Sequence, residues 1–227
     1  GSRGLGDVYK RQARGIAIVA VALDWSCAEA WFPERPALYE LRVSVLDSSN
    51  GTVLDNDMTV AGFKRVEVAP GGEHLLLNGL RLNLRGTSIH PSQDFQSTWS
   101  SQAAGGLVAN WPKTVAKWKA LGVTTLRIPQ GPAPEKSLEG CDEGGLMIIE
   151  ESAVYARAFM FFSPTQQQYV SNSEVWIEEW VQQRRNHASI VLWSAENENG
   201  VAFTETYDGV RYTILSDAQI MQLAATI

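Results

Sequence analysis

From about residue 80 onward, short apolar runs alternate with segments of helical pattern, and this alternation confines the chain to a small set of folds. Residues 123–128 read as a strand, and residues 146–149 are wholly apolar. Residues 189–193 form a third such run, which leads straight into Ser194-Ala195-Glu196-Asn197-Glu198. A strand that is apolar on both sides must be covered on both sides, which is the condition of a parallel sheet. Between the runs, Val115, Trp118 and Leu121 mark one stripe of a helix that starts near Asn110, tolerates Pro112 in its first turn and ends at Gly122. Residues 135–143, closed by Gly144-Gly145, predict a second helix. Trp176 with Trp180 and Ile177 with Val181 repeat at i,i+4, predicting a third over 173–187. Ser216-Asp217-Ala218-Gln219 has the form of a capping box and opens a fourth. Residues 80–89 read as the first strand of the series. No Gly-rich phosphate loop follows that strand, which favours a barrel over a nucleotide-binding sheet. A complete (β/α)8 barrel takes roughly 250 residues, and the chain after residue 72 has room for about four of its repeats.

The segment upstream of residue 72 obeys a different grammar. Leu41, Val43 and Val45 alternate with Arg42 and Ser44, and Ser48-Ser49-Asn50-Gly51 supplies turn chemistry into Thr52-Val53-Leu54. Phe63, Arg65 and Glu67 alternate with Lys64, Val66 and Val68 before Pro70-Gly71-Gly72. The expected organisation is a β-sandwich piece over 13–72 and the first half of a barrel over 73–227. Asp7-Val8-Tyr9-Lys10-Arg11-Gln12 looks like a translated library adapter, so 1–12 are expected to be sequencing scar. Lys10, Arg11 and Arg14 before the apolar run 15–23 imitate a secretory signal, but the run is too short to span a bilayer and Asp24 interrupts it. The sequence assigns no compartment.

A net charge of −6 with scattered basic residues disfavours nucleic acid and anionic membrane as partners. A neutral or small polar ligand fits better. Cys27 and Cys141 fall in different expected domains and form no disulfide framework, and no Cys/His cluster has metal-ligand spacing.

Several segments, taken in order, resemble glycoside hydrolase family 2, the β-galactosidases, β-glucuronidases and β-mannosidases. Trp31-Phe32-Pro33-Glu34-Arg35-Pro36-Ala37-Leu38-Tyr39-Glu40-Leu41 resembles a signature of that family's immunoglobulin-like domain, and Gly62-Phe63-Lys64-Arg65-Val66-Glu67 its closing strand. Leu84-Arg85-Gly86-Thr87-Ser88-Ile89-His90 is similar to the first barrel strand, and Leu146-Met147-Ile148-Ile149-Glu150-Glu151 to the third. Residues 185–194 with Asn197-Glu198 resemble the fourth strand and its acid/base motif. The fold this implies is a partial immunoglobulin-like β-sandwich followed by the N-terminal half of a (β/α)8 TIM barrel. The activity it implies is retaining hydrolysis of terminal β-linked sugars, with β-galactoside or β-glucuronide as substrate, no cofactor, and a homo-oligomeric parent enzyme left open.

By the same resemblance Glu198 is the general acid/base and Asn197 binds the sugar 2-hydroxyl. Arg127 would support the nucleophile, which lies after a later barrel strand, downstream of this chain. His90 falls near the sugar subsite. Gln130 stands where β-galactosidases and β-glucuronidases usually place a histidine, and Pro91 where many have Glu, so sugar contacts are expected to differ. Tyr155 and Arg157 replace the Glu and His of the magnesium-binding members, so no metal is expected. The chemistry itself requires two carboxyls about 5–5.5 Å apart, one protonated to release the leaving oxygen and one to attack the anomeric carbon.

Plainer roles compete for several of these residues. Glu196 reads as an incidental loop acid. Glu150 and Glu151 end a buried strand and fit either a supporting role at the site or a salt bridge. Trp176 and Trp180 have the spacing of packing residues, whereas Trp99 and Trp111 fall where a loop could stack on sugar. A non-catalytic carbohydrate-binding relative, or a related barrel enzyme such as a cellulase that also ends its fourth strand in Asn-Glu, stands as the alternative reading.

Overall fold

The structure, a computed structural model, describes residues 19–22, 24–89, 111–129, 131–154, 166–197, 204–207, 210–213 and 217–227. Its centre is a four-stranded parallel sheet in the order β6 (Gly86–Ser88), β7 (Thr125–Ile128), β8 (Met147–Glu151) and β9 (Ile190–Ser194). Helices α1 (Trp111–Ala120), α2 (Glu135–Gly144) and α3 (Gln166–Arg184) fall between consecutive strands from β6 to β9, and α4 (Asp217–Ala224) follows them. The alternation of apolar runs and helices thus takes the expected parallel form. A short antiparallel hairpin, β10 (Thr204–Tyr207) with β11 (Val210–Thr213), lies between β9 and α4. The sequence pattern did not announce it.

The sheet separates two environments. Leu126, Ile128, Ile148 and Ile190 face the helices and join Trp111, Val115, Leu138 and Cys141 in one buried core. Trp111 was a candidate for sugar stacking, but it opens α1, is 1% exposed and donates its indole N–H to the Cys141 sulfur at 3.2 Å. Its true spacing is Trp111, Val115 and Trp118, the i, i+4, i+7 stripe of a packed helix. Leu121, expected on that stripe, lies beyond the last turn and is exposed. Trp99 lies outside the described residues. α2 packs so closely on α1 that a methyl added at Gly140 would sit 2.1 Å from Trp111 Cδ1. α3 starts seven residues earlier than its tryptophan pattern indicated, because Tyr169 and Val170 add buried contacts upstream. In it, Trp176 stacks on Trp180 at 5.6 Å, and Trp180 meets Trp193 edge-on at 4.8 Å. These rings are packing residues.

Upstream, β1 (Tyr39–Leu46) and β2 (Val53–Ala61) form an antiparallel hairpin around the expected turn. β3 (Val66–Val68), β4 (Leu75–Leu77) and β5 (Leu80–Arg81) make a second small antiparallel sheet. The expected single strand over 80–89 is therefore two: β5 closes a hairpin on β4, and β6 begins the parallel sheet. Asn78 at φ 51° and Gly79 at φ 81° make the tight β4–β5 turn, which needs left-handed backbone that a uniformly extended strand lacks. The expected change of domain at 72–73 falls between the hydrogen-bonded strands β3 and β4.

The underside of the sheet is closed by the Trp31 segment. Trp31 is fully buried against Leu77, Met147, Ala188 and Val191 and donates to the Asp142 carbonyl at 2.9 Å. Pro33 docks its carbonyl on Lys119 Nζ at 2.7 Å. Gly145, left-handed at φ 68°, passes so close to Pro33 that a Cβ there would lie 2.0 Å from its oxygen. A polar cluster lies nearby: His187 Nδ1 and Nε2 bond Asp142 at 2.6 Å and Glu135 at 2.9 Å, and Asp142 accepts the Ser189 N–H. Burial opposes protonation of His187, but the bond and charge of Asp142, then those of Glu135, outweigh it and raise its pKa. Lys64 donates to the His187 carbonyl at 2.6 Å, and burial pushes its ammonium pKa down to about 8.

Candidate active site

Strand register decides which side chains reach the concave side of the sheet. Arg127 pairs with Ile149 and Glu151 with Ser194, so Thr125, Arg127, Ile149, Glu151 and Ser194 share the face opposite the helix layer. A groove lined by Leu84, Gly86, Thr87, Ser88, Thr125, Arg127 and Ile149 runs along it. Between β8 and β9 the register slips: Ile148 opposes Ile190, but Ile149 opposes Leu192. Val191 is thus an extra residue, a bulge of the kind that re-aims side chains beside functional sites. Without it Trp193, rather than Ser194, would stand beside Glu151.

At the C-terminal ends of these strands four side chains interlock. Glu151 is fully buried, and its Oε2 accepts from Arg127 Nε at 3.0 Å, Arg127 Nη2 at 2.7 Å and Ser194 Oγ at 2.9 Å. Arg127 Nη2 also donates to Asn197 Oδ1 at 2.9 Å. The Arg127 side chain keeps 38% exposure, so the guanidinium bridges a buried carboxylate to the open groove. The loops beyond β8 and β9 continue the pairing: Ser152 N–H donates to Ser194 O at 2.9 Å, and Ser152 Oγ donates to Ala195 O at 2.5 Å. Asn197 N–H donates to Val154 O at 2.9 Å. These bonds hold residues 194–197 along residues 152–154.

Of the site residues expected from sequence, the structure brings Arg127 and Asn197 into direct contact. Glu198, His90 and Gln130 lie outside the described residues, as do Pro91, Tyr155 and Arg157. The Glu196 backbone carbonyl lies 3.2 Å from Ser194 Oγ, whose single proton goes to the nearer Glu151 Oε2. Glu150 and Glu151, equivalent in sequence, separate completely. Glu150 turns to the helix side, where Arg184 Nη1 donates to it at 3.0 Å and the Ala133 N–H at 3.1 Å. Burial lifts its carboxyl to about 7 in spite of Arg184 and that N–H. Glu151, with Ser152 and Ser194, is what the sequence reading left unassigned. The only hint was an acid pair ending an apolar strand, and a strand apolar on both faces hides which acid points inward.

A strand-end Arg, Glu and Asn on the concave side of a helix-covered parallel sheet is the geometry of a barrel enzyme's catalytic face. The family model described as Glycosyl hydrolases family 2, TIM barrel domain, matches residues 66–217. The chain belongs to glycosyl hydrolase family 2. Similar proteins include a β-glucuronidase from Paenibacillus borealis, 29% identical over 180 residues that cover 75% of this chain and 28% of the relative. A β-galactosidase from Vibrio vulnificus is 28% identical over 177 residues, 75% of this chain and 16% of that one. The crystal structure of Bacteroides uniformis β-glucuronidase superposes with a TM-score of 0.60 at 27% identity, covering 75% of this chain and 19% of that one. The chain spans less than a third of the length of each of these proteins.

Proposed function

We propose that this chain carries the acid/base half of a retaining β-glycosidase acting on terminal β-galactosides or β-glucuronides. The observation that supports this most strongly is the Arg127 to Asn197 hydrogen bond at the strand ends, with Glu198 the next residue in the chain. Asn197 is the sugar-binding amide, Glu198 the proton donor and acceptor, and Arg127 the cation that stabilises a carboxylate across the groove. His90 and Gln130 complete the sugar subsite. The second carboxylate, the nucleophile, is contributed by a later barrel strand. Residues 73–227 are the first half of that barrel, and residues 13–72 are part of an immunoglobulin-like sandwich whose Trp31 segment plugs the barrel underside. The names of the relatives, β-glucuronidase and β-galactosidase, favour these two substrate classes.

The reading is tested in the enzyme expressed from the uninterrupted reading frame. Glu198→Ala should lower kcat/KM on an alkyl β-glycoside by about 10²- to 10⁴-fold, the usual worth of a general acid. The loss should shrink sharply on a dinitrophenyl glycoside, whose leaving group departs without protonation. Equal losses on both substrates would remove Glu198 from the proton-transfer role. The 227-residue chain alone should show no turnover.

A further inference from the structure

We propose that Glu151 is a positioning residue: its carboxylate orients Arg127, and through it the amide of Asn197, so that Asn197 presents an N–H donor to a sugar hydroxyl. This rests on the role of Asn197 proposed above and extends it to a residue outside the strand-end motif. The bond directions are forced by chemistry. Arginine has five N–H donors and no acceptor, and an ionised carboxylate only accepts. Arg127 must therefore donate to Glu151 and to Asn197 alike, and the Asn197 atom at 2.9 Å from Nη2 must be the oxygen. In a planar amide, an oxygen turned to Arg127 turns the NH2 to the opposite edge.

The anchor is built to hold that direction. Glu151 is fully buried, and its Oε2 takes two bonds from Arg127 and one from Ser194 Oγ. The Ser194 hydroxyl reaches Glu151 only because the Val191 bulge brings it to this face. Arg127 is long and partly exposed. Released from Glu151, it would sample other rotamers, and the Asn197 amide could flip and offer an acceptor where the sugar needs a donor. Glu150 cannot take over, because it faces the helices.

The test uses the full-length enzyme with an aryl β-glycoside and its 2-deoxy analogue. Glu151→Gln keeps the shape and one acceptor oxygen but removes the charge. On the hydroxylated substrate it should lower kcat by about 10²-fold with KM little changed, the scale of a misplaced catalytic contact, because bonds to the 2-hydroxyl tighten in the transition state. On the 2-deoxy substrate the loss should be clearly smaller, what remains being the part that Arg127 carries to the carboxylate across the groove. Asn197→Ala should show the same dependence, and on the hydroxylated substrate the double variant should lose less than the product of the two single losses, the signature of two residues acting through one contact. Should Glu151→Gln fail to fold, Glu151→Asp carries the same comparison. Equal losses on both substrates for the Glu151 variant, with Asn197→Ala still discriminating, would overturn the positioning role alone. Failure of Asn197→Ala to discriminate would overturn the sugar-binding role of Asn197, and the positioning role with it.

Discussion

The two faces of the parallel sheet use the same pair of residue types to opposite ends. On the helix side Glu150 is enclosed by Arg184 from α3 and the Ala133 N–H ahead of α2, so it ties together three elements that close around it. On the concave side Glu151 holds Arg127 and Ser194 from the two flanking strands, and the chain of bonds continues outward to Asn197. Both carboxylates are fully buried. The difference lies in the partner: Arg184 has 16% of its side chain exposed, Arg127 38%. A buried carboxylate with an enclosed partner fastens layers, and one with a partner at the groove's edge orients a site.

The largest effect should come from breaking the enclosed pair. Glu150→Ala leaves Arg184 with only the more distant Glu135 carboxylate at 3.9 Å, and loss of one member of a buried pair costs about 3–5 kcal/mol. Glu151→Ala should cost nearer 1–2 kcal/mol, roughly the penalty of an unmade charged bond whose partner can turn to water. Urea unfolding measures both. Equal losses would erase the distinction between the faces.

The pH dependence separates the faces next. The Glu150 carboxyl rises from 4.5 to about 7 on folding, so the folded state holds its proton more tightly than the unfolded chain. Its contribution is fully present below pH 4.5 and is lost as pH rises through about 7. Stability should therefore fall across that window by up to about 3 kcal/mol, at 1.36 kcal/mol per pH unit. Glu150→Gln should flatten that part of the pH profile, and Glu151→Gln should leave it in place. A fall that survives Glu150→Gln would assign the titration elsewhere, with His187 the first candidate.

The remaining effect concerns packing. Gly140→Ala pushes a methyl against Trp111 in the helix layer, and overpacking of this kind costs about 1–3 kcal/mol, partly offset by the better helix propensity of Ala. Because the clash is confined to the α1–α2 contact, kcat on an activated aryl glycoside should be unchanged. A change in kcat without a change in Tm would show that the helix layer reaches the site.

Much of this was legible in the sequence for a simple reason. A strand covered on both sides must be apolar throughout, and a helix packed on it must repeat its apolar residues every three or four positions. Residues 146–149 and 190–193 satisfied the first condition, and Trp176, Ile177, Trp180 and Val181 the second. The same logic had limits. Trp111 lay inside the helix expected from Asn110, but next to a polar stretch, and the pattern did not say that its ring turns into the core. Residues 80–89 looked like one strand because nothing in their pattern marks the break between β5 and β6. Arg127 and Asn197 were found through motif order, and their contact is a tertiary fact.

The sequence alone determined that parallel strands would carry an Asn-Glu pair at the end of the last one, since only that arrangement buries the apolar runs and leaves the polar residues at a strand exit. What it left open was parity. Met147-Ile148-Ile149-Glu150-Glu151 offers no alternation from which to tell inside from outside, and the Val191 bulge shifts β9 by one residue against β8. A shift of one residue exchanges the faces of a strand. Only the folded sheet, by pairing Arg127 with Ile149 and Ser194 with Glu151, decided that Glu151 supports the site and Glu150 the helices.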